Sequence, residues 1–230
     1  MRALLVVSRY PVLLAPFGFL SMAFFRVAMW FNRKVVFFKL MGCGKNGTFD
    51  IRPDLSQWAI MVFWNTDSLS SDDLSSEALT GTMLGSFVSG WLKLFKATNR
   101  VFLLEPVAGR GTWDGRSFAG PVPADPVKGP VAILTRATIR LSRLKAFWSA
   151  VPGTAEGLES NPGFLYSVGI GEVPFIKQAT FSIWRSAEDM EAFAYHKQAH
   201  REVIRRTHKE GWYAEEMFLR FRVLQETSIS

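Results

Sequence analysis

Val101-Phe102-Leu103-Leu104-Glu105-Pro106-Val107 returns later in the chain as Met217-Phe218-Leu219-Arg220-Phe221-Arg222-Val223. Both runs read as strands, and three more blocks recur in the same order around them. Ala59-Ile60-Met61-Val62-Phe63-Trp64 matches Ala179-Thr180-Phe181-Ser182-Ile183-Trp184, and each leads into a Ser/Thr/Asp-rich helix start. Gly42-Cys43-Gly44 matches Gly169-Ile170-Gly171, and Ala3-Leu4-Leu5 matches Ala132-Ile133-Leu134. Four blocks in one order point to a duplicated unit.

Reading outward from these blocks, the first half gives strand Ala3–Ser8, helix Pro11–Trp30 and strand Val35–Met41. A glycine-rich turn, strand Trp58–Trp64, helical region Ser68–Lys96 and strand Val101–Val107 follow. The second half gives strand Val131–Ile139, helix Ser142–Val151 and strands Phe164–Val168 and Gln178–Trp184, then helix Ala187–His208 and strand Glu216–Leu224. Each half is β-α-β-β-α-β, the ferredoxin-like order. The expected organisation is a first repeat over 1–108, a Gly/Pro-rich connector over 109–130 and a second repeat over 131–230. Strands such as Ile60-Met61-Val62-Phe63 are apolar on both sides, so both faces of each sheet need cover. The expected fold is therefore α+β: tandem ferredoxin-like repeats packed as an intrachain pseudo-dimeric α+β barrel.

The bulk numbers agree with a folded core. The chain has 230 residues, 48% of them hydrophobic, with 20 Phe and 8 Trp, which argues against disorder. Its one cysteine, Cys43, cannot form an internal disulfide and reads as a small buried residue. The net charge of +7 calls for an anionic neighbour. RNA is a poor candidate, because neither Trp58–Trp64 nor Gln178–Trp184 carries the aromatic, basic strand motif of RNA-recognition domains. Tyr10 to Phe25 is uncharged but shorter than the ~20 residues of a spanning helix. That stretch reads as a very apolar helix, with membrane insertion as the minority alternative.

Few motifs carry chemistry. Gly42-Cys43-Gly44-Lys45-Asn46-Gly47-Thr48 lacks phosphate-loop spacing and reads as a turn; Asn46-Gly47-Thr48 is only a formal glycosylation sequon. Polar groups concentrate on helix Ala187–His208, where Met190, Phe193, Ala194 and Ile204 define an apolar face with His200 towards its edge. His196 lies one turn earlier, and the pair could share a metal, but no third ligand is evident. His200 alone is either a core histidine satisfied by a hydrogen bond or an axial ligand to a haem between this helix and the sheet. Glu172, after Gly-Ile-Gly, is either a turn cap or a polar site residue. Arg136 and Arg140 share one strand face and could meet haem propionates or a distal oxygen ligand; solvent-facing arginines are the plainer reading. Trp184, Phe181 and Trp212 read as core, though an aromatic wall would suit a long apolar ligand.

Several runs resemble the spheroidene monooxygenase (carotenoid 2-ketolase) family. They are Gly129-Pro130-Val131-Ala132-Ile133-Leu134-Thr135-Arg136-Ala137-Thr138-Ile139-Arg140, Gly169-Ile170-Gly171-Glu172-Val173-Pro174, Gln178 to Trp184, and Glu210 to Leu224. Phe37 to Gly44 matches more loosely. The resemblance implies a haem-dependent monooxygenase that hydroxylates and ketolates an acyclic carotenoid end group. It would use O2 and electrons from an external donor such as a ferredoxin. It implies His200 as the iron ligand, with His196 the alternative one turn away. Arg136 and Glu172 become candidate catalytic residues, and Phe193, Trp184 and Arg140 candidate cofactor contacts. The expected partners are a carotenoid or similar apolar lipid, a redox protein and a membrane surface, with no nucleic acid. The expected location is cytoplasmic and peripheral to the membrane. Aldoxime dehydration or haem breakdown on the same barrel plan, or non-catalytic carriage of haem or an apolar ligand, are the competing readings.

Overall fold

The computed structural model describes residues 1–45, 52–65, 76–120, 127–150, 158, 161–196, 205–207 and 209–229. In chain order the elements are β1 (Arg2–Arg9), α1 (Ala15–Trp30) after a 3-10 turn at Val12–Leu14, β2 (Phe37–Gly44), β3 (Pro53–Trp64), α2 (Ser76–Leu94) and β4 (Thr98–Gly111). Then come β5 (Val131–Ile139), a 3-10 turn at Leu141–Arg143, α3 (Leu144–Ala150), β6 (Phe164–Val173), β7 (Lys177–Trp184), α4 (Ala187–His196) and β8 (Tyr213–Ile229). The strands follow the order β1-β3-β2-β6-β7-β5-β8-β4 in a closed barrel. The repeated blocks fall on equivalent strands: β1 and β5, β2 and β6, β3 and β7, β4 and β8. This is the duplicated α+β barrel that the sequence predicts.

Two compact units divide the chain. The first comprises Met1–Cys43, Asp54–Glu105 and Val223–Ser230; the second comprises Gly44–Pro53 and Pro106–Arg222.

In the first unit β1 lies between β3 and β4, antiparallel to both. Ala3 through Val7 are all buried, so both faces of β1 are covered, as its unbroken apolar run requires. Alternate residues Leu4, Val6, Ile60, Val62 and Trp64 form one core with Phe25 and Met29 of α1 and with Met83 and Val88 of α2. Each such fully buried side chain is worth about 1.5–3 kcal/mol. Close docking of α1 needs a glycine: a Cβ on Gly18 would sit 2.7 Å from the Trp58 ring. The helical region expected over Ser68–Lys96 is described from Ser76 to Leu94 and is interrupted at Gly85.

In the second unit β5 is flanked by β7 and β8, and β6 pairs with β7, all antiparallel. Val131, Ile133, Trp184 and Met190 form a core with Phe164 and Phe193, which seats α4 on one sheet face. Ile139, Phe147 and Trp212 form a second cluster that seats α3.

Several strands are longer than the sequence reading. β6 carries Gly169-Ile170-Gly171 inside its span, and β2 contains Gly42-Cys43-Gly44. Ladder hydrogen bonds use backbone groups only, so glycines that resemble a turn in sequence are held extended by their neighbours. Gly109-Arg110-Gly111, expected in the connector, ends β4. The sequon at Asn46 lies outside the described residues.

Candidate functional site

The register of the second unit assembles a polar cluster on one sheet face. Arg136 of β5 pairs with Ala179 of β7 on one side and Met217 of β8 on the other. Ala179 in turn pairs with Ile170 of β6. Residues two apart share a face, so Glu215 follows Met217, and Glu172 follows Ile170, to the face that carries Arg136. Arg136 is only 1% exposed although it is an arginine.

Its guanidinium is held from three directions. One terminal nitrogen, Nη1, donates to Glu215 Oε2. The other, Nη2, lies 3.6 Å from Glu172 Oε1 and 3.8 Å from Asp114 Oδ1. The indole ring of Trp113 stands 5.9 Å from the guanidinium carbon, a cation–π approach. Trp113 Nε1 donates to Glu172 Oε1 at 2.8 Å, and Lys177 Nζ reaches Asp114 Oδ1 at 3.2 Å. Burying a lone guanidinium would be prohibitive; here the surrounding carboxylates compensate its charge.

Glu215 links this cluster to a loop. Its Oε1 accepts from the Thr112 hydroxyl at 2.8 Å and from the Gly115 N–H at 2.9 Å. Burial pushes the Glu215 carboxyl up. The Gly115 N–H, the Thr112 hydroxyl and the Arg136 guanidinium outweigh that and hold it below the usual carboxylate range. The loop 112–116 turns back on itself through Trp113 and Arg116, with Asp114 and Gly115 in left-handed backbone. Gly111 lets the loop approach β8: at φ +77°, a Cβ there would lie 2.1 Å from the Glu216 carbonyl oxygen.

The predicted site residues divide between two faces. Arg136 and Glu172 come together in the cluster just described. Trp184 and Phe193 also come together, with ring centroids 5.0 Å apart, but in the core beneath α4. That core uses Val131 and Ile133, whose side chains point opposite to Arg136 along β5. Arg140 does not join Arg136: the register shifts between Thr138 and Ile139, and Arg140 is exposed with its Nε donated to the Tyr213 carbonyl oxygen at 3.1 Å. His196 ends α4; His200 lies outside the described residues. No group of three or more His, Cys, Asp or Glu side chains able to hold a metal ion occurs among the described residues.

Sequence reasoning missed Trp113, Asp114 and Glu215. A signal for Glu215 was present: on β8 it alternates with Met217, Leu219 and Phe221, so a carboxylate stands in an apolar row. Trp113-Asp114-Gly115 is a turn sequence inside a Gly/Pro-rich connector, and nothing local shows that the indole is buried.

No protein-family model matches the chain. Among solved structures it is similar to an aldoxime dehydratase over 99% of its own length and 83% of that chain, with TM-score 0.61 and 9% sequence identity. A second aldoxime dehydratase structure, in complex with butyraldoxime, gives TM-score 0.59 at 8% identity over 96% of this chain and 79% of that one. At such low identity the likeness defines the class of fold, an α+β barrel, and nothing of the chemistry. The sequence relationship is closer. Spheroidene monooxygenase of Rhodobacter capsulatus is 35% identical over 197 residues, covering 83% of this chain and 76% of that protein. The Cereibacter sphaeroides protein of the same name is 32% identical over 201 residues, and the match spans 59% of its length. This chain belongs to the spheroidene monooxygenase family, a family of oxidoreductases.

Proposed function

We propose that this protein is a haem-dependent monooxygenase that converts a methylene of an acyclic, spheroidene-like carotenoid end group into a ketone. The observation that carries the reading is the 35% identity to the Rhodobacter capsulatus spheroidene monooxygenase across 76% of that protein. Two successive hydroxylations at one carbon followed by loss of water account for the product. Each hydroxylation consumes one O2, two electrons and two protons and releases one water. The electrons come from an external donor such as a ferredoxin. The polyene comes from a membrane surface on the cytoplasmic side.

What supports a haem is the apolar, aromatic character of one side of the sheet. Beneath α4, Trp184 and Phe193 supply an apolar aromatic wall, and His200 is assigned as the iron ligand from the family resemblance. Arg140 lies at the opposite end of β5 from the Val131–Trp184 pair and keeps its Nε bond to the Tyr213 carbonyl oxygen, so its contact with a propionate rests on the sequence reading alone. Arg136 does not suit a propionate: Glu215, Glu172 and Asp114 already surround it, and a further anion would add repulsion. Haem, when bound, supplies the oxygen-activating chemistry. Arg136 and Glu172 lie across the sheet, so in this reading they act by fixing the 112–116 loop and the register of β5 with β8, as positioning residues.

The test has two parts. Purified protein should show a Soret band that disappears or shifts in His200→Ala. Expression in a host that accumulates the acyclic polyene should yield a product in which two hydrogens are replaced by one oxygen. A colourless protein that takes up no haemin would overturn the haem assignment. An unchanged polyene alongside turnover of an aldoxime would move the activity to dehydration.

A further inference from the structure

The first unit displays an apolar surface that a water-facing helix should not have. One face of α1 is committed to the sheet and α2. Gly18, Ser21, Phe25 and Met29 are buried, the Ser21 hydroxyl donates to the Gly18 carbonyl oxygen at 2.6 Å, and Phe17 stacks on Phe95 at 4.1 Å. The opposite face is apolar as well. Phe19, Leu20, Phe24, Val27, Trp30 and Phe31 are exposed, Trp30 and Phe31 each at 77%. Neighbouring α2 extends this surface with Phe87 and Leu94, and Phe87 packs on both Phe25 and Trp91. A surface helix normally turns polar residues outward; one that is apolar all round belongs in a core or in lipid.

The charge distribution identifies the occupant. Residues 1–49 contain seven Lys or Arg and no Asp or Glu, so this segment alone carries a charge equal to the net +7 of the whole chain. The remainder of the chain balances. Arg26, Arg33 and Lys34 are exposed on or just beyond α1, and Lys93 and Lys96 are exposed at the end of α2. Aromatic side chains rimmed by cations match the interfacial zone of a bilayer with anionic headgroups, where rings sit at the headgroup level and cations meet phosphates. A second copy of this chain would bring the same cations together.

We propose that the outer face of α1, extended by Phe87 and Leu94 of α2, inserts into one leaflet of an anionic phospholipid bilayer with α1 lying in the membrane plane. Val12–Trp30 is apolar and long enough by composition to cross a membrane. The docking argues for the in-plane arrangement. Gly18 is pressed against Trp58 and Tyr10, and Phe25 and Met29 are part of the core of the first unit. A crossing would strip that face from its sheet and expose Leu4, Val6 and Ile60. The insertion does not depend on the haem reading, since lipid binding is measured without cofactor or carotenoid.

The test uses the full-length protein with vesicles of phosphatidylcholine containing phosphatidylserine, and with pure phosphatidylcholine vesicles, in flotation assays. The expected result is co-flotation that is strong with the anionic vesicles and weakened by salt. Phe24→Ser with Trp30→Ser should weaken binding about 100-fold or more, at the transfer cost of two large apolar side chains. Arg33→Gln with Lys34→Gln should weaken it roughly tenfold or more on anionic vesicles only. Both pairs alter exposed residues, and an unchanged circular dichroism spectrum confirms the fold. A Phe24→Cys variant, fluorescently labelled on the native protein in which Cys43 is buried, then reports depth at mid-helix. Stronger quenching by a shallow than by a deep spin-labelled lipid supports the in-plane helix; the reverse order shows a crossing and overturns it. Protein that stays in solution with both vesicles overturns the proposal. So does a homodimer that the Phe24→Ser/Trp30→Ser pair dissolves, which would give this face to a second copy.

Discussion

Replacing Glu215 by Gln is the sharpest probe of the buried cluster. Glutamine keeps the shape of glutamate but has one acceptor oxygen and one donor amide. If the oxygen stays with the Thr112 hydroxyl and the Gly115 N–H, the amide nitrogen faces the Arg136 guanidinium, donor against donor. If the amide flips, Arg136 regains an acceptor and the loop loses both of its bonds. Losing one charge-assisted hydrogen bond costs about 1.5–3 kcal/mol, and breaking a buried ion pair costs about 3–5 kcal/mol. Arg136 is 1% exposed and so cannot recover its hydration, but Glu172 and Asp114 remain within 4 Å of it. The expected cost is therefore about 3 kcal/mol, the lower end of that range. For a chain of this size it corresponds to a fall in Tm of about 6–12 °C. Near-ultraviolet circular dichroism, which senses the packing of Trp113, and urea titration both read it. Adding Arg136→Met to Glu215→Gln should deepen the loss rather than restore it, because Glu172 then keeps its part-buried carboxylate without that cation. The pH dependence has a fixed sign. The Glu215 carboxyl is held low in the folded state, so its contribution is complete above the unfolded carboxylate value of about 4.3 and disappears as pH falls through the lower folded value. The gap between wild type and Glu215→Gln should be constant near neutrality and close in acid. A loss below about 1 kcal/mol, the range of a surface pair, would refute the claim that this cluster locks the loop to the sheet.

Two further outcomes follow from the backbone and from burial. Gly111→Ala should destabilise the protein by about 2 kcal/mol or more, because it forces a side chain into left-handed backbone and against the Glu216 carbonyl oxygen; chemical denaturation measures it, and a neutral result would refute that contact. Cys43 is 3% exposed, and burial pushes its thiol up to about 12, so a thiol reagent at pH 8 should label it only after denaturant is added. Rapid labelling of the native protein would show that β2 opens.

The amino-acid sequence by itself determined the duplication. Blocks on β1, β3 and β4 recur on β5, β7 and β8, because strands buried on both faces leave long apolar runs that alignment can match. It also determined the family, through the runs around Arg136, Glu172 and the β8 segment. Strand ends were less legible: Gly169-Ile170-Gly171 resembles a turn, but pairing with Gln178, Ala179 and Thr180 keeps it in β6. The site divided along the same line. Arg136 and Glu172 were named from sequence, yet their association depends on a ladder spanning β6, β7 and β5, a relation that no single segment encodes. Trp113 and Asp114 come from a Gly/Pro-rich connector that reads as a linker, and only the fold over Gly111 places them beside Arg136. Tertiary structure alone decided that Trp184 and Phe193 lie on the other face of that sheet. The period of a strand tells which residues share a face; neighbouring strands and helices decide what that face meets.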